Sequence, residues 1–215
     1  MAQNVLYVRY DDKGNFFEAS GVIFQDVVYA LNTNIQNLMI LSGEYLGDES
    51  INNFEAILGK KGIECFINER SYKFGDMCCI DFGNKEEIQQ LGNQQIAELL
   101  FMAHMKKPFA SPFYEDIKNT FVFMCHDDGY WCKVYTKEPS IISKIIKSKL
   151  NIKHKLSEKN CELIEKMSRC GLYIDLTDVC DNKFVKLYDV GIVEDIDSLI
   201  NNPIRFIRNE AILKY

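Results

Sequence analysis

The segment that decides the fold runs Gln94-Gln95-Ile96-Ala97-Glu98-Leu99-Leu100-Phe101-Met102-Ala103-His104-Met105 and continues through a linker holding Pro108 and Pro112. It then passes through Thr120-Phe121-Val122-Phe123-Met124-Cys125-His126, Asp127-Asp128-Gly129 and Tyr130-Trp131-Cys132-Lys133-Val134-Tyr135-Thr136. In residues 94–105, Ile96, Leu99, Leu100 and Ala103 share one helical face, while Phe101, Met102 and Met105 cover much of the rest. A helix that is apolar nearly all round belongs in an interior, so this one is expected to be a buried rod. The prolines end it, because proline cannot donate to the helix and restricts the residue before it. The two runs that follow are rich in aromatic and β-branched residues and predict strands. The Asp-Gly step between them favours a tight hairpin turn. The expectation is a rod wedged against a two-stranded ribbon, with the wedge forming the interior.

Upstream, residues 4–10 and 16–24 predict strands joined by the turn-forming run Asp11-Asp12-Lys13-Gly14-Asn15. That acidic turn lacks the spacing and closing glutamate of a calcium loop. Val27–Leu31 and Leu38–Leu41 are short apolar runs, strand or buried helix. A helix is expected from Ser50 to about Leu58, with Ser50 capping and Gly59 or Gly62 terminating. Strands are expected at 63–67 and 77–82, and a short helix at 85–91. Downstream, Pro139 suits a first helical position, and Ile141, Ile142, Ile145, Ile146 and Leu150 follow at helical spacing. A second helix is predicted from Ser157 to Cys170, ended by Gly171, and strands at 172–176 and 184–188. A short helix near 194–201 and an extended segment at 204–207 close the chain. Helices and strands mix without steady alternation, so the fold class is α+β, a mixed or mainly antiparallel sheet packed against several helices. Residues 1–215 are expected to form one compact domain, with about 139–215 as a C-terminal lobe.

Composition sets outer bounds. Hydrophobic residues at 47% and charged residues at 26% of 215 belong to a globular chain able to bury a core. There is no internal repeat. No apolar run approaches membrane-span length, and Met1-Ala2-Gln3-Asn4 does not begin a secretory leader, so a cytoplasmic location is expected. The eight cysteines include no Cys-x-x-Cys pair and are read as buried or incidental free thiols. The net charge of −6 is uneven: residues 1–138 carry 12 basic against 20 acidic groups, and residues 139–215 carry 13 against 11. An acidic chain disfavours binding of nucleic acid over its whole surface.

Reactive side chains concentrate at the hairpin: Cys125, His126, Asp127 and Cys132, beside Asp128, with His104 on the preceding helix. Imidazole with thiolate or carboxylate is a transition-metal ligand set. A cysteine beside a histidine base is a nucleophile pattern. Against both, aspartates form turns for backbone reasons, cysteine is often inert core, and Cys125 and His126 alternate across their strand. His104 reads as a core histidine bonded to a carbonyl. No metal or cofactor is assigned. Lys144, Lys147, Lys149, Lys153, Lys155 and Lys159, opposed only by Glu158, make a basic face that an anionic partner would recognise, although a lysine-rich solvent face on a core helix is the favoured reading, because an isoleucine stripe is what a core needs. Asp81-Phe82-Gly83 matches a kinase tripeptide, but every companion motif is missing.

With no cofactor motif and no strong catalytic constellation, the default expectation is a binding or regulatory protein acting through protein contacts, its partner another protein or a second copy. Nucleic acid and membrane are disfavoured. One alternative is a small-molecule or metal-assisted enzyme with a pocket between helix 94–105 and hairpin 120–136. The other is an anionic-partner binder using residues 144–159.

Overall fold

The computed structural model describes residues 5–31, 35–46, 49–68, 77–126, 131–151, 155–177 and 184–215, with side chains omitted for 42–46, 49–55 and 126. In chain order the elements are strands β1 (Val5–Asp11) and β2 (Phe16–Ser20), helix α1 (Phe24–Leu31), strands β3 (Asn37–Leu46) and β4 (Glu49–Leu58) and helix α2 (Gly59–Asn68). Strand β5 (Met77–Phe82), helices α3 (Lys85–Gln89) and α4 (Asn93–Met105), and strands β6 (Phe121–His126) and β7 (Trp131–Thr136) come next. Helices α5 (Ile141–Lys149) and α6 (Glu158–Cys170), strands β8 (Leu172–Asp175) and β9 (Phe184–Asp189), helix α7 (Ile196–Asn201) and strand β10 (Asn209–Lys214) complete it. The class is α+β.

The chain divides into two compact units, one of Met1–Val22 with Glu138–Tyr215 and one of Ile23–Lys137. In the first, the strand order is β2-β1-β8-β9-β10, and each neighbouring pair runs antiparallel. In the second it is β4-β3-β5-β6-β7, also antiparallel throughout. The two orders are the same: an opening hairpin, whose first strand takes the next strand on its free side, followed by a meander of two more.

In the first unit, register places Leu6 opposite Ile174 and Val8 opposite Leu172, so these side chains share one sheet face. All four are essentially without solvent exposure. Helix α6 packs on this unit's β1, β8 and β9, and α5 packs on α6. The start and stop of α6 are local. Ser157 Oγ accepts from the Asn160 N–H at 3.2 Å, satisfying one donor that the first turn leaves open. At the other end Gly171 has φ 102, and a Cβ there would lie 2.5 Å from the Gly191 carbonyl oxygen, so no other residue fits without a backbone shift. Ser157→Ala is expected to cost about 1 kcal/mol, read as a lower denaturant midpoint with an unchanged slope.

In the second unit, Ile40, Cys79, Phe123 and Val134 lie side by side on one face across β3, β5, β6 and β7. Phe24 of α1 meets Phe123 edge-on at 5.2 Å between ring centres and also meets Phe66 of α2 at 5.8 Å. Strand β5 is buried along its whole length.

The structure corrects several expectations. The helix expected over residues 50–58 is strand β4, paired with β3 from Asn37↔Leu58 to Leu46↔Glu49. A ten-residue ladder outweighs a local capping signal, because strand preference is set by cross-strand partners. Gly59, expected to end a helix, begins α2 with φ +72, and the strand expected at 63–67 lies inside α2. Residues 16–24 do not form one strand: β2 stops at Ser20, and Phe24 already belongs to α1. Residues 203–205 form a 3-10 turn before β10, a strand that was not expected. Finally, α4 is not buried all round. Leu99, Met102 and Ala103 are buried, whereas Phe101 is 36% and Met105 46% exposed. Its principal partner is β3 rather than the hairpin. A helix resting on one surface buries only a stripe, and apolar residues beyond that stripe stay outside.

Candidate functional site: the outer face of helix α4

The exposed side of α4 carries Ala97, Phe101, His104 and Met105. Ala97, Phe101 and Met105 are spaced four apart and so stand in one row. The helix then ends at Lys106, whose φ of 53 places it in the left-handed region, and the chain turns back beneath the row. Phe109, 66% exposed, sets its ring edge-on to Phe101 at 5.7 Å. The result is an aromatic and thioether surface on the outside of the unit, bordered by His104 and the exposed Lys107.

Polar side chains hold this surface in place. Gln95 closes the start of α4, its Oε1 accepting from the Gly92 N–H at 2.8 Å and its Nε2 donating to Asp116. Asn119, buried, accepts the Tyr114 N–H at 2.7 Å and donates to the Pro112 carbonyl at 2.8 Å. Asp81, also buried, accepts from the Thr120 N–H at 2.8 Å, the Thr120 hydroxyl at 2.7 Å and the Phe121 N–H at 3.0 Å. Burial pushes the Asp81 carboxyl above its ordinary range, and these three donors oppose the shift without cancelling it. Lys137 lies over the Phe113 ring at 4.7 Å. The return from α4 to β6 is therefore pinned at Asn119 and Asp81, downstream of Phe109.

The residues singled out from sequence fall elsewhere. His104 is exposed on α4 rather than a core histidine. Cys125 and Cys132 are direct cross-strand partners and are buried, Cys132 completely. A thiol without access to solvent meets no substrate. His126 closes β6 opposite Trp131, but its side chain and the whole of Asp127 and Asp128 lie outside the described residues. Among the described residues no three His, Cys, Asp or Glu side chains converge as ligands for an ion. Two further thiols on β5 are driven toward the protonated form by burial, Cys78 to about 12 and Cys79 well above the ordinary thiol value. In the lysine-rich segment, Ile141, Ile142, Ile145 and Ile146 are buried on α5 while Lys144 faces solvent, and Lys153 lies outside the described residues.

Comparison with protein-family models, with curated proteins and with solved structures gives no match. No described helix is long and apolar enough to cross a membrane.

What sequence reading missed was the direction of α4. An all-round apolar pattern reads as a buried rod, and only the packing of α4 on β3 shows which of its apolar residues are left outside the contact stripe. Phe109, isolated between Pro108 and Pro112, offered no periodicity to read.

Proposed function

We propose that this protein acts by binding another protein through the outer face of α4, with Phe101, Met105 and Phe109 as the anchoring side chains. One observation carries the reading: the helix keeps a second apolar row that its own fold leaves in solvent. Contiguous exposed apolar surface marks interaction sites. Aromatic residues and methionine are the types enriched there.

The test is a photo-reactive phenylalanine analogue at position 109 in cells that make the protein, with the same group at exposed Glu86 as control. A discrete crosslinked adduct is expected from position 109 and not from position 86. It should vanish when Phe101 and Met105 are both replaced by glutamate. No adduct at 109, or one indifferent to those replacements, would refute the reading.

A further inference from the structure

A second surface lies in the first unit, on different residues. A groove of about 580 Å³ runs between α6 and β10, lined by Lys159, Leu163, Lys166, Ile212 and Lys214, with Glu162 as its acid. On α6, residues 159, 163 and 166 recur at helical spacing and so form one wall. On the opposite wall, β10 closes the strand order and, among the described residues, pairs with β9 alone. Ile212 is 47% exposed. The Asn160 side chain donates to the Lys214 carbonyl at 3.0 Å and ties the two walls together at the end of β10.

We propose that this groove receives an extended acidic peptide segment, which adds to β10 as a further strand and lies along α6. Edge strands are templates for strand addition: main-chain hydrogen bonds supply affinity and flanking side chains supply selectivity. The walls match in length, since the 13 residues of α6 and the six of β10 both span about 20 Å. Three lysines around Leu163 and Ile212 select acidic residues alternating with apolar ones, because alternate side chains of a strand point to opposite sides. The same lysines disfavour a second copy of the chain. Two-fold pairing of β10 with itself would bring the two lysine-lined grooves together, placing like charges against each other.

The experiment is selection of random-sequence peptides displayed on phage against the full chain, followed by fluorescence anisotropy with the enriched peptides. Acidic peptides with alternating apolar residues are expected to dominate. Their affinity should fall roughly tenfold or more in Lys166→Glu, at an exposed position, and in Leu163→Glu, at a half-buried one. Bound peptide should also slow amide hydrogen exchange in β10. Phe101→Glu should leave this binding unchanged, which separates it from the α4 surface. Enrichment of basic peptides, no enrichment, binding insensitive to both groove variants, or β10 amides that exchange as before would overturn the proposal. So would dimerisation of the free chain that Leu163→Glu abolishes, which would assign the groove to a second copy.

Discussion

Phe123→Ala is expected to lower the unfolding free energy by about 3–5 kcal/mol. Phe123 is 1% exposed. Its ring sits between Cys79 and Val134 on the sheet and against Phe24 of α1, so truncation removes buried ring area and an edge-to-face contact together. The space left is walled by strands on both sides, and a ladder cannot collapse inward as a surface loop can. Part of the cost is therefore the cavity itself. Phe101→Ala is the control from the same unit: a phenylalanine on α4 with its ring partly in solvent should cost far less, on the order of 0.5 kcal/mol. Urea or guanidinium unfolding of both variants measures the difference. Equal costs would mean that the α1–β6 contact is not a core contact, and that α4 rather than α1 covers the hydrophobic face.

That contrast shows what the sequence could and could not reveal. Both phenylalanines sit in apolar runs, yet only the strand run has a period that fixes its surroundings. The β6–β7 hairpin, β5, and the ends of α6 were legible because each carries its determinant locally: β-branched and aromatic content, or a serine cap and a glycine stop. Residues 50–58 were misread because their determinant is not local. Ser50 followed by mixed polar and apolar residues satisfies a helix start, and only β3 alongside makes the segment a strand. The shared strand order of the two units left no repeat in the sequence, since topology depends on which strands pair and not on which residues they hold. Site residues followed the same rule. Cys125, Cys132 and His104 attracted attention by chemical type, but chemistry needs convergence and access, and the fold buries the thiols while it exposes the imidazole. Asp81 matters through contacts made with residues 39 and 40 positions away, and Phe109 through one ring contact across a chain reversal, neither of which a spacing rule reads.

Asp81 provides the sharpest test of those distant contacts, through two substitutions that differ by one hydrogen-bonding group. Asp81→Ala leaves the Thr120 and Phe121 N–H groups without their acceptor at a site where Asp81 is only 7% exposed. An orphaned buried donor costs about 1–3 kcal/mol; Phe121 is buried whereas Thr120 is exposed and its N–H can turn to water, so a total loss of about 1–3 kcal/mol is expected. Asp81→Asn should stay within about 1 kcal/mol of the parent, because its single oxygen can still accept both N–H groups. Its amide can donate to the Thr120 hydroxyl, which is an acceptor as well as a donor. The pair also fixes a sign. Burial raises the folded-state pKa of Asp81 above 3.8, so over the interval just above that value the folded chain holds a proton that the unfolded chain has released. Stability then falls as pH rises through the interval and is level above it. Asparagine has no such proton, and the stability of the parent relative to Asp81→Asn should decline with rising pH across the same interval. If that difference instead grows with pH, the three donors outweigh burial, and the loop is held by a carboxylate whose pKa is depressed.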